Sequence, residues 1–403
     1  MLGAEIAAWI LIFAMGTFAV IWAVMIVRII TSQKQLPHIA DQANAPAPDA
    51  GWPRVSVILP THNEEGVLDA CLSSVRQQDY PALQIIVALD RCTDQSPQIA
   101  RQHAEHDPRI TVTPNDAYRD GWRGKCLPMQ VGSELANGDW LLFIDSDTEI
   151  DPGMVKGAVA TANAQGFDML SVLPDLRCEK LFEHIAQPVA SLHMMHMYPP
   201  HKVNRPNGNS RPFSLGAFTL LRRSVYDNIG GMNAVKDQFM EDINLARAVS
   251  KSGARVGIAM GSGLFRCTMY ESFDEFCGGW KRIFIGAANQ RVKRLRVHGL
   301  RLIALGLGLP LVQIAGVAVA LLVAAQGSWI LGNVLIALVI LSALMQFLVL
   351  AKFYRASGAS GLAALGFPLG AGIIGWLLTR GASDLKNERP FKWGGHDYVC
   401  EAR

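Results

Sequence analysis

The 403 residues are 50% hydrophobic and only 18% charged, where an ordinary soluble chain carries about 25% charged residues. With a mean hydropathy of +0.21, this composition excludes disorder, collagen and a coiled coil as the chain's main character. A net charge of +3 is too mild to argue for nucleic acid, although local basic clusters can meet anionic lipid or phosphate.

Residues 6–27 contain no charged side chain. At about 1.5 Å per residue they reach across a bilayer core of about 30 Å. A cleaved signal peptide would show a basic start and a shorter apolar run. Here the first charge is Glu5, and Arg28 and Lys34 follow the run. Residues 1–30 therefore read as a retained anchor, with the N-terminus outside and the chain entering the cytosol. Residues 31–53, with several Pro, Ala and Asp, read as a linker.

Residues 54–270 have ordinary soluble composition and an alternating β-α-β pattern. Short apolar runs at 55–60, 84–90, 110–112 and 140–145 predict buried strands. The stretches 64–78, 94–105 and 125–136 between them predict helices. This order predicts an α/β fold with an open parallel sheet, whose ligands bind beyond the carboxyl ends of the strands. Asp90 and Asp145 fall at two such ends.

Asp145-Ser146-Asp147 directly follows the fourth apolar run. Carboxylates two residues apart beyond a strand end can face one hard cation, Mg²⁺ or Mn²⁺, whose shell is completed by water and phosphate. In Asp90-Arg91-Cys92-Thr93-Asp94, Asp90 can accept hydrogen bonds from a nucleobase or a ribose, while Thr93 or Asp94 can equally cap a helix. Glu241-Asp242 opens an amphipathic helix. Its carboxylates suit the helix dipole, or a general base that deprotonates an acceptor hydroxyl.

Residues 273–298 place Phe276, Trp280, Ile283, Phe284, Ala287, Ala288 and Leu295 near one helical face, and no acid occurs from 276 to 301. The segment 271–300 reads as an amphipathic helix in the membrane interface, the alternative being a core-facing helix with a solvated basic side. Residues 301–380 hold the remaining membrane segments: two spans, 302–325 and 329–351, then a Gly-rich stretch at 360–378. That stretch reads as re-entrant or broken, because a single crossing would leave the basic tail, 381–403, outside. His193 and His196 form an i, i+3 pair with no obvious third ligand, so His184, His193, His196 and His201 read mainly as packing around a Met-rich run. Seven widely spaced cysteines without C-x-x-C read as reduced cytosolic thiols.

Taken together, several motifs resemble one family. Pro60-Thr61-His62-Asn63-Glu64-Glu65 is similar to the opening motif of inverting family-2 glycosyltransferases with the GT-A fold. The likeness continues through Asp90 and Asp94, Gly121-Trp122-Arg123-Gly124-Lys125, Gly138-Asp139-Trp140, Asp145-Ser146-Asp147, Gly216-Ala217-Phe218, Gly230-Gly231 and Glu241-Asp242. Arg266-Cys267-Thr268-Met269-Tyr270, Gly279-Trp280 and the tail Lys392-Trp393-Gly394-Gly395-His396-Asp397-Tyr398 resemble the membrane-anchored ceramide glucosyltransferase and carotenoid-ester glycosyltransferase branch.

The resemblance implies a membrane enzyme with a cytosolic catalytic domain, a UDP-sugar donor and a lipid acceptor. It implies that Thr61, Glu64 and Asp90 hold the uridine half, and that Lys125 meets the ribose or diphosphate. Asp94 and Glu241 belong with these substrate-binding residues. Asp145 and Asp147 would place Mg²⁺ or Mn²⁺, Asp242 would be the base, and Trp280 and Arg282 would line the acceptor mouth. The alternatives are a polysaccharide synthase, a transferase onto polyprenyl phosphate, or a scaffold that only binds nucleotide sugars. The Q-x-x-R-W of processive synthases is replaced here by Gly279-Trp280-Lys281-Arg282, which favours a single transfer.

Overall fold

A computed structural model describes residues 2–115, 119–176, 178–205, 210–238, 240–267, 270, 272–393 and 396–402. Thr268, Met269, Gly394 and Gly395 of the motifs above lie outside the described residues.

The chain begins with α1 (Leu2–Gln35), then β1 (Val55–Thr61), α2 (Leu68–Arg76), β2 (Leu83–Leu89), α3 (Ser96–His106), β3 (Ile110–Val112) and α4 (Cys126–Leu135). Next come β4 (Trp140–Ile144), β5 (Thr148–Ile150), α5 (Met154–Gln165), β6 (Met169–Leu173), β7 (Asp175–Leu176), α6 (Leu181–Met197) and α7 (Pro200–Val203). The domain closes with β8 (Phe218–Arg222), α8 (Arg223–Asn228), α9 (Glu241–Lys251), β9 (Val256–Met260), β10 (Phe265–Cys267) and α10 (Phe273–Ala287). Then follow α11 (Val292–Ala325), α12 (Trp329–Ala356), α13 (Phe367–Lys386) and a hairpin of β11 (Phe391–Trp393) and β12 (His396–Tyr398).

The four expected strands form in place as β1 to β4, within a seven-stranded sheet of order β3-β2-β1-β4-β8-β6-β9. The sheet is mixed rather than parallel, because β8 runs antiparallel to both β4 and β6. Phe218 of β8 pairs with Ile144 at the end of β4. The chain thus enters β8 at the carboxyl edge of β4 and has to run back. A smaller sheet of order β5-β10-β7 flanks that edge.

Strand alternation divides the core. Val55, Val57 and Leu59 of β1 point toward α2, α3 and α5. Ile58 points the other way, toward Met129 of α4 and Leu245 and Ala246 of α9. Two buried faces explain why β1 and β2 read as near-continuous apolar runs.

Among the described residues, four helices are long and apolar enough to cross a membrane by length and composition: Leu2–Val27, Val292–Ala325, Trp329–Ala356 and Gly361–Lys386. The last begins as a 3-10 turn, Gly361–Gly366, with Pro368 in the first turn of α13. Small residues let α11 and α13 approach closely: a Cβ on Gly306 would lie 2.3 Å from Ala371 Cβ, and one on Gly299 2.7 Å from the Gly375 carbonyl.

Where one amphipathic helix is expected over 271–300, the chain forms two. Asn289 and Gln290 adopt left-handed φ of 56° and 58°, which ends α10 at Ala287 and lets α11 restart at Val292. Phe276, Trp280, Phe284 and Ala287 are buried with Ala186 and Val189 of α6 and Ala371, Ile374 and Leu378 of α13. Lys281 pairs with Asp384 of α13 at 2.7 Å. The α/β domain and the C-terminal helices therefore share one core.

Candidate active site

β1, β2 and β4 are parallel, so their carboxyl ends share one edge. Between β1 and β4 the strand order reverses, which opens a crevice there. Thr61 ends β1 and is buried; its Oγ1 lies 3.4 Å from Ser146 Oγ. The Ser146 hydroxyl also donates to the Pro60 carbonyl at 3.2 Å. This ties the strand end to the Asp145–Asp147 turn.

Asp90 follows β2, and its backbone N–H donates to the Thr61 carbonyl at 2.8 Å. Its buried carboxylate accepts from Arg91 Nε at 2.7 Å and Nη2 at 3.0 Å. Arg91 holds a left-handed φ of 50°. Asp94 spends its carboxylate on the protein itself. It accepts from the Glu65 backbone N–H at 2.9 Å and from the Ser96 N–H and hydroxyl at 3.0 Å each. Burial works against its charge, but these bonds outweigh it and hold the carboxyl below its usual range.

Lys125 immediately precedes α4 and forms the centre of the site. Its Nζ makes a close ion pair with Asp145 and lies 3.4 Å from Glu241 Oε1. Burial opposes its charge, yet Asp145 and Glu241 keep it protonated well above the ordinary lysine range. Burial also raises the Glu64 carboxyl to about 7, with Asp145 and Asp94 adding repulsion. Asp147 rises to about 7 through burial and then the charges of Asp145 and Glu64. Asp147 Oδ1 is buried with no hydrogen-bond partner. One lysine thus faces more carboxylate charge than it balances, which is the electrostatic setting a hard cation relieves.

Asp242 stands in the first turn of α9. Its Oδ2 accepts from the Gly216 N–H at 3.0 Å and its Oδ1 from the Ile243 N–H at 2.6 Å. Burial and then Glu241 lift its carboxyl to about 7, against Lys125 and these two N–H donors. Gly216 lies close to both groups: a Cβ there would lie 2.7 Å from Lys125 Nζ, which would have to shift, and 3.6 Å from Asp242 Oδ2. The loop before β8 thereby brings the Asp242 side of the crevice to the Asp145 side.

Trp280 stands apart from these acids. It is buried, and its indole N–H donates to Gln187 Oε1 at 2.9 Å. Arg282, half-buried on the same helix, reaches Tyr270 electrostatically, as does Asp147. α10 also supports the Asp242 turn, since a Cβ on Gly286 would lie 2.0 Å from Met240 Cγ.

Three contributors carry no role in the sequence reading. Arg91 clamps Asp90, Ser146 bridges two strand ends, and Cys267 places its buried thiol 3.9 Å from Asp147 Oδ2. Burial, then Asp147 and Asp145, push that thiol well above its ordinary range. All seven cysteines are free. His193 and His196 gain a third neighbour, His298 of α11, with ring centroids 5.0 to 6.2 Å apart. Burial, then the two neighbouring histidines, lower His193 to about 3, while His184 accepts from the Ser360 N–H at 3.2 Å. Among the described residues no group of three or more His, Cys, Asp or Glu is arranged to hold a metal ion unaided.

Residues 56–230, which contain Thr61, Glu64, Asp90, Lys125, Asp145 and Asp147, match the family described as Glycosyl transferase family 2. The chain carries a family-2 glycosyltransferase domain. The domain that holds this match is an α/β fold with a mixed sheet. Over 239 residues, 58% of the chain is 26% identical to 62% of a 4,4'-diaponeurosporenoate glycosyltransferase from Staphylococcus haemolyticus. Over 111 residues, 28% of the chain is 31% identical to 35% of a GalNAc(5)-diNAcBac-PP-undecaprenol beta-1,3-glucosyltransferase from Campylobacter jejuni. The chain thus spans less than two thirds of the length of these curated relatives. A mannosyltransferase from Pyrobaculum calidifontis, solved in complex with GDP-Man and Mn²⁺, aligns with 90% of this chain and 97% of its own at 19% identity and a TM-score of 0.45.

Proposed function

We propose that this protein is a membrane-anchored inverting glycosyltransferase that moves one hexose, glucose in the first instance, from a UDP-sugar to a lipid hydroxyl or carboxyl. The observation that carries the reading is Lys125, which touches Asp145 on one side and Glu241, the neighbour of Asp242, on the other. Donor and base groups thereby share one crevice. The names of the staphylococcal and Campylobacter relatives, which carry a diaponeurosporenoate and an undecaprenol, support a lipid acceptor. The four long apolar helices support the anchor, and Arg28 and Lys34 after the first of them favour a cytosolic catalytic domain.

In this reading Thr61, Glu64 and Asp90 hold the uridine half, and Lys125 meets the ribose or diphosphate. Asp94 shapes the same loop through its own hydrogen bonds. Asp145 and Asp147 are the residues that would hold Mg²⁺ or Mn²⁺, and the orphaned Asp147 Oδ1 fits such a hard ion. When bound, the ion supplies positive charge against the diphosphate leaving group. The acceptor oxygen forms a bond to the anomeric carbon as the bond to the diphosphate oxygen breaks, which inverts that carbon. A hydroxyl acceptor gives its proton to the Asp242 carboxylate. Arg282 lines the acceptor side, and Trp280 positions α10 from within the core.

Mass spectrometry of membrane lipids with and without the expressed protein tests the proposal. A gain of one hexose on one lipid class is expected, and it should be absent with Asp242→Asn. Long polymer as the product, or no change in any lipid, would reject it.

A further inference from the structure

The start of α11 and the end of α13 flank an open groove of about 440 Å³ lined by Val292, Lys293, Arg296, Val297, Leu300 and Lys386. Past Lys293 and Val297 lies a second groove of about 350 Å³, reached also by Arg291, Arg294 and His298. No acid occurs between residues 276 and 301. Lys281 is taken up by Asp384. Lys293, Arg296 and Lys386 have no ion-pair partner among the described residues. Three exposed cations from two helices thus line one groove with no acid paired to them, a surface that favours an anion.

The face of α11 that runs on from this groove shows which anion fits. At 3.6 residues per turn, Lys293, Arg296, Leu300, Leu307, Leu311 and Ile314 lie within an arc of about 60° on α11. The first two are cationic. The last four are exposed apolar side chains. α11 has 34 residues, or about 51 Å at about 1.5 Å per residue, against a hydrocarbon core of about 30 Å. Its basic first turns therefore project beyond the apolar length, at the depth of lipid headgroups. Charge first and apolar stripe second matches a phosphate with an acyl chain below it. A soluble phosphate would use the cations and leave the stripe uncovered.

We propose that Lys293, Arg296 and Lys386 form a binding site for the phosphate of an anionic bilayer phospholipid, whose acyl chain lies along Leu300, Leu307 and Leu311. The site rests on the reading of α11 as a membrane span. It lies outside the Asp145–Asp242 crevice and shares no residue with it.

The test uses the full-length protein in nanodiscs of phosphatidylcholine doped with phosphatidylglycerol. Native mass spectrometry after release into detergent reads the lipids retained. A basic side chain near an anionic surface is worth about fivefold in partition, so retention of phosphatidylglycerol over phosphatidylcholine by at least about tenfold is expected. The variant Lys293→Gln/Arg296→Gln/Lys386→Gln should retain the two equally, with near-UV circular dichroism unchanged. Should the triple variant misfold, Arg296→Gln and Lys386→Gln singly should each lower the preference about fivefold. Equal retention by the parent, or a preference that survives in the variants, overturns the proposal. So does release of the lipid by millimolar inorganic phosphate, which would make the site one for soluble phosphate. Alkaline carbonate washing separates the two readings: a chain washed off membranes defeats the span itself, whereas an embedded chain without lipid preference defeats only the site.

Discussion

Asp242 combines two properties that a general base needs: a carboxyl lifted to about 7 and two backbone N–H donors that fix its orientation. Transfer to a hydroxyl acceptor should rise with pH as this group loses its proton and level off above about pH 7, measured as initial rate with saturating donor. Asp242→Asn should lower kcat by at least about a thousandfold while leaving UDP-sugar binding by calorimetry largely unchanged. The same carboxyl makes a stability prediction of definite sign. Its folded pKa lies above the ordinary aspartate range, so its contribution is fully present below about pH 4 and is lost as the pH rises through about 7. The Tm of Asp242→Asn should therefore gain on that of the parent between pH 5 and pH 8. A variant Tm that instead falls further behind the parent's over that range would show that the group is not held protonated. Asp147→Ala should abolish both activity and its dependence on added Mg²⁺ or Mn²⁺, read by titrating metal back after EDTA. Persistent activity in EDTA would remove the ion from the proposal.

Two contacts tie α10 to the site and to the apolar C-terminal helices. Met240 sits on Gly286 just before the Asp242 turn, so a side chain at 286 has to displace it. Gly286→Leu should cut kcat by about tenfold or more at unchanged affinity for the donor, because the Asp145 side is untouched. Equal kcat in that variant would show that α10 does not set the base. The second contact is Lys281 with Asp384, both largely buried. Asp384→Ala leaves the lysine unpaired and should cost about 1–3 kcal/mol in denaturant unfolding. The break between α10 and α11 shows why the element reading over 271–300 was incomplete. Hydrophobic periodicity runs smoothly through 288–291, and nothing local forbids helix there. Only packing against α6 and α13, with Asn289 and Gln290 in left-handed conformations, ends one helix and starts the next.

The whole molecule is one assembly rather than a soluble enzyme on a tether. Ala186, Val189, Trp280 and Phe284 of the domain are buried together with Phe367, Ala371, Ile374 and Leu378 of α13. A chain truncated after residue 287 would uncover this surface. It should aggregate or bind detergent when made alone, measured by size-exclusion chromatography, whereas a monodisperse and active fragment would show that α13 is dispensable.

The local pattern carried much of this protein. Strands buried on both faces need unbroken apolar runs, so β1 to β4 and the acids at their ends could be read directly, as could helices too apolar for water. The arrangement of those acids could not. Lys125 lies between Asp145 and Glu241 only because β8 enters the sheet backwards and brings Gly216 beside it. His193 meets His298 through helix packing that no short window of residues encodes. Trp280, expected at the acceptor mouth, is drawn into the core because α6 and α13 cover its face of α10. Chain-local periodicity reports which residues must leave water; which of them meet is decided by strand direction and by close approach at small residues, and both are properties of the completed fold.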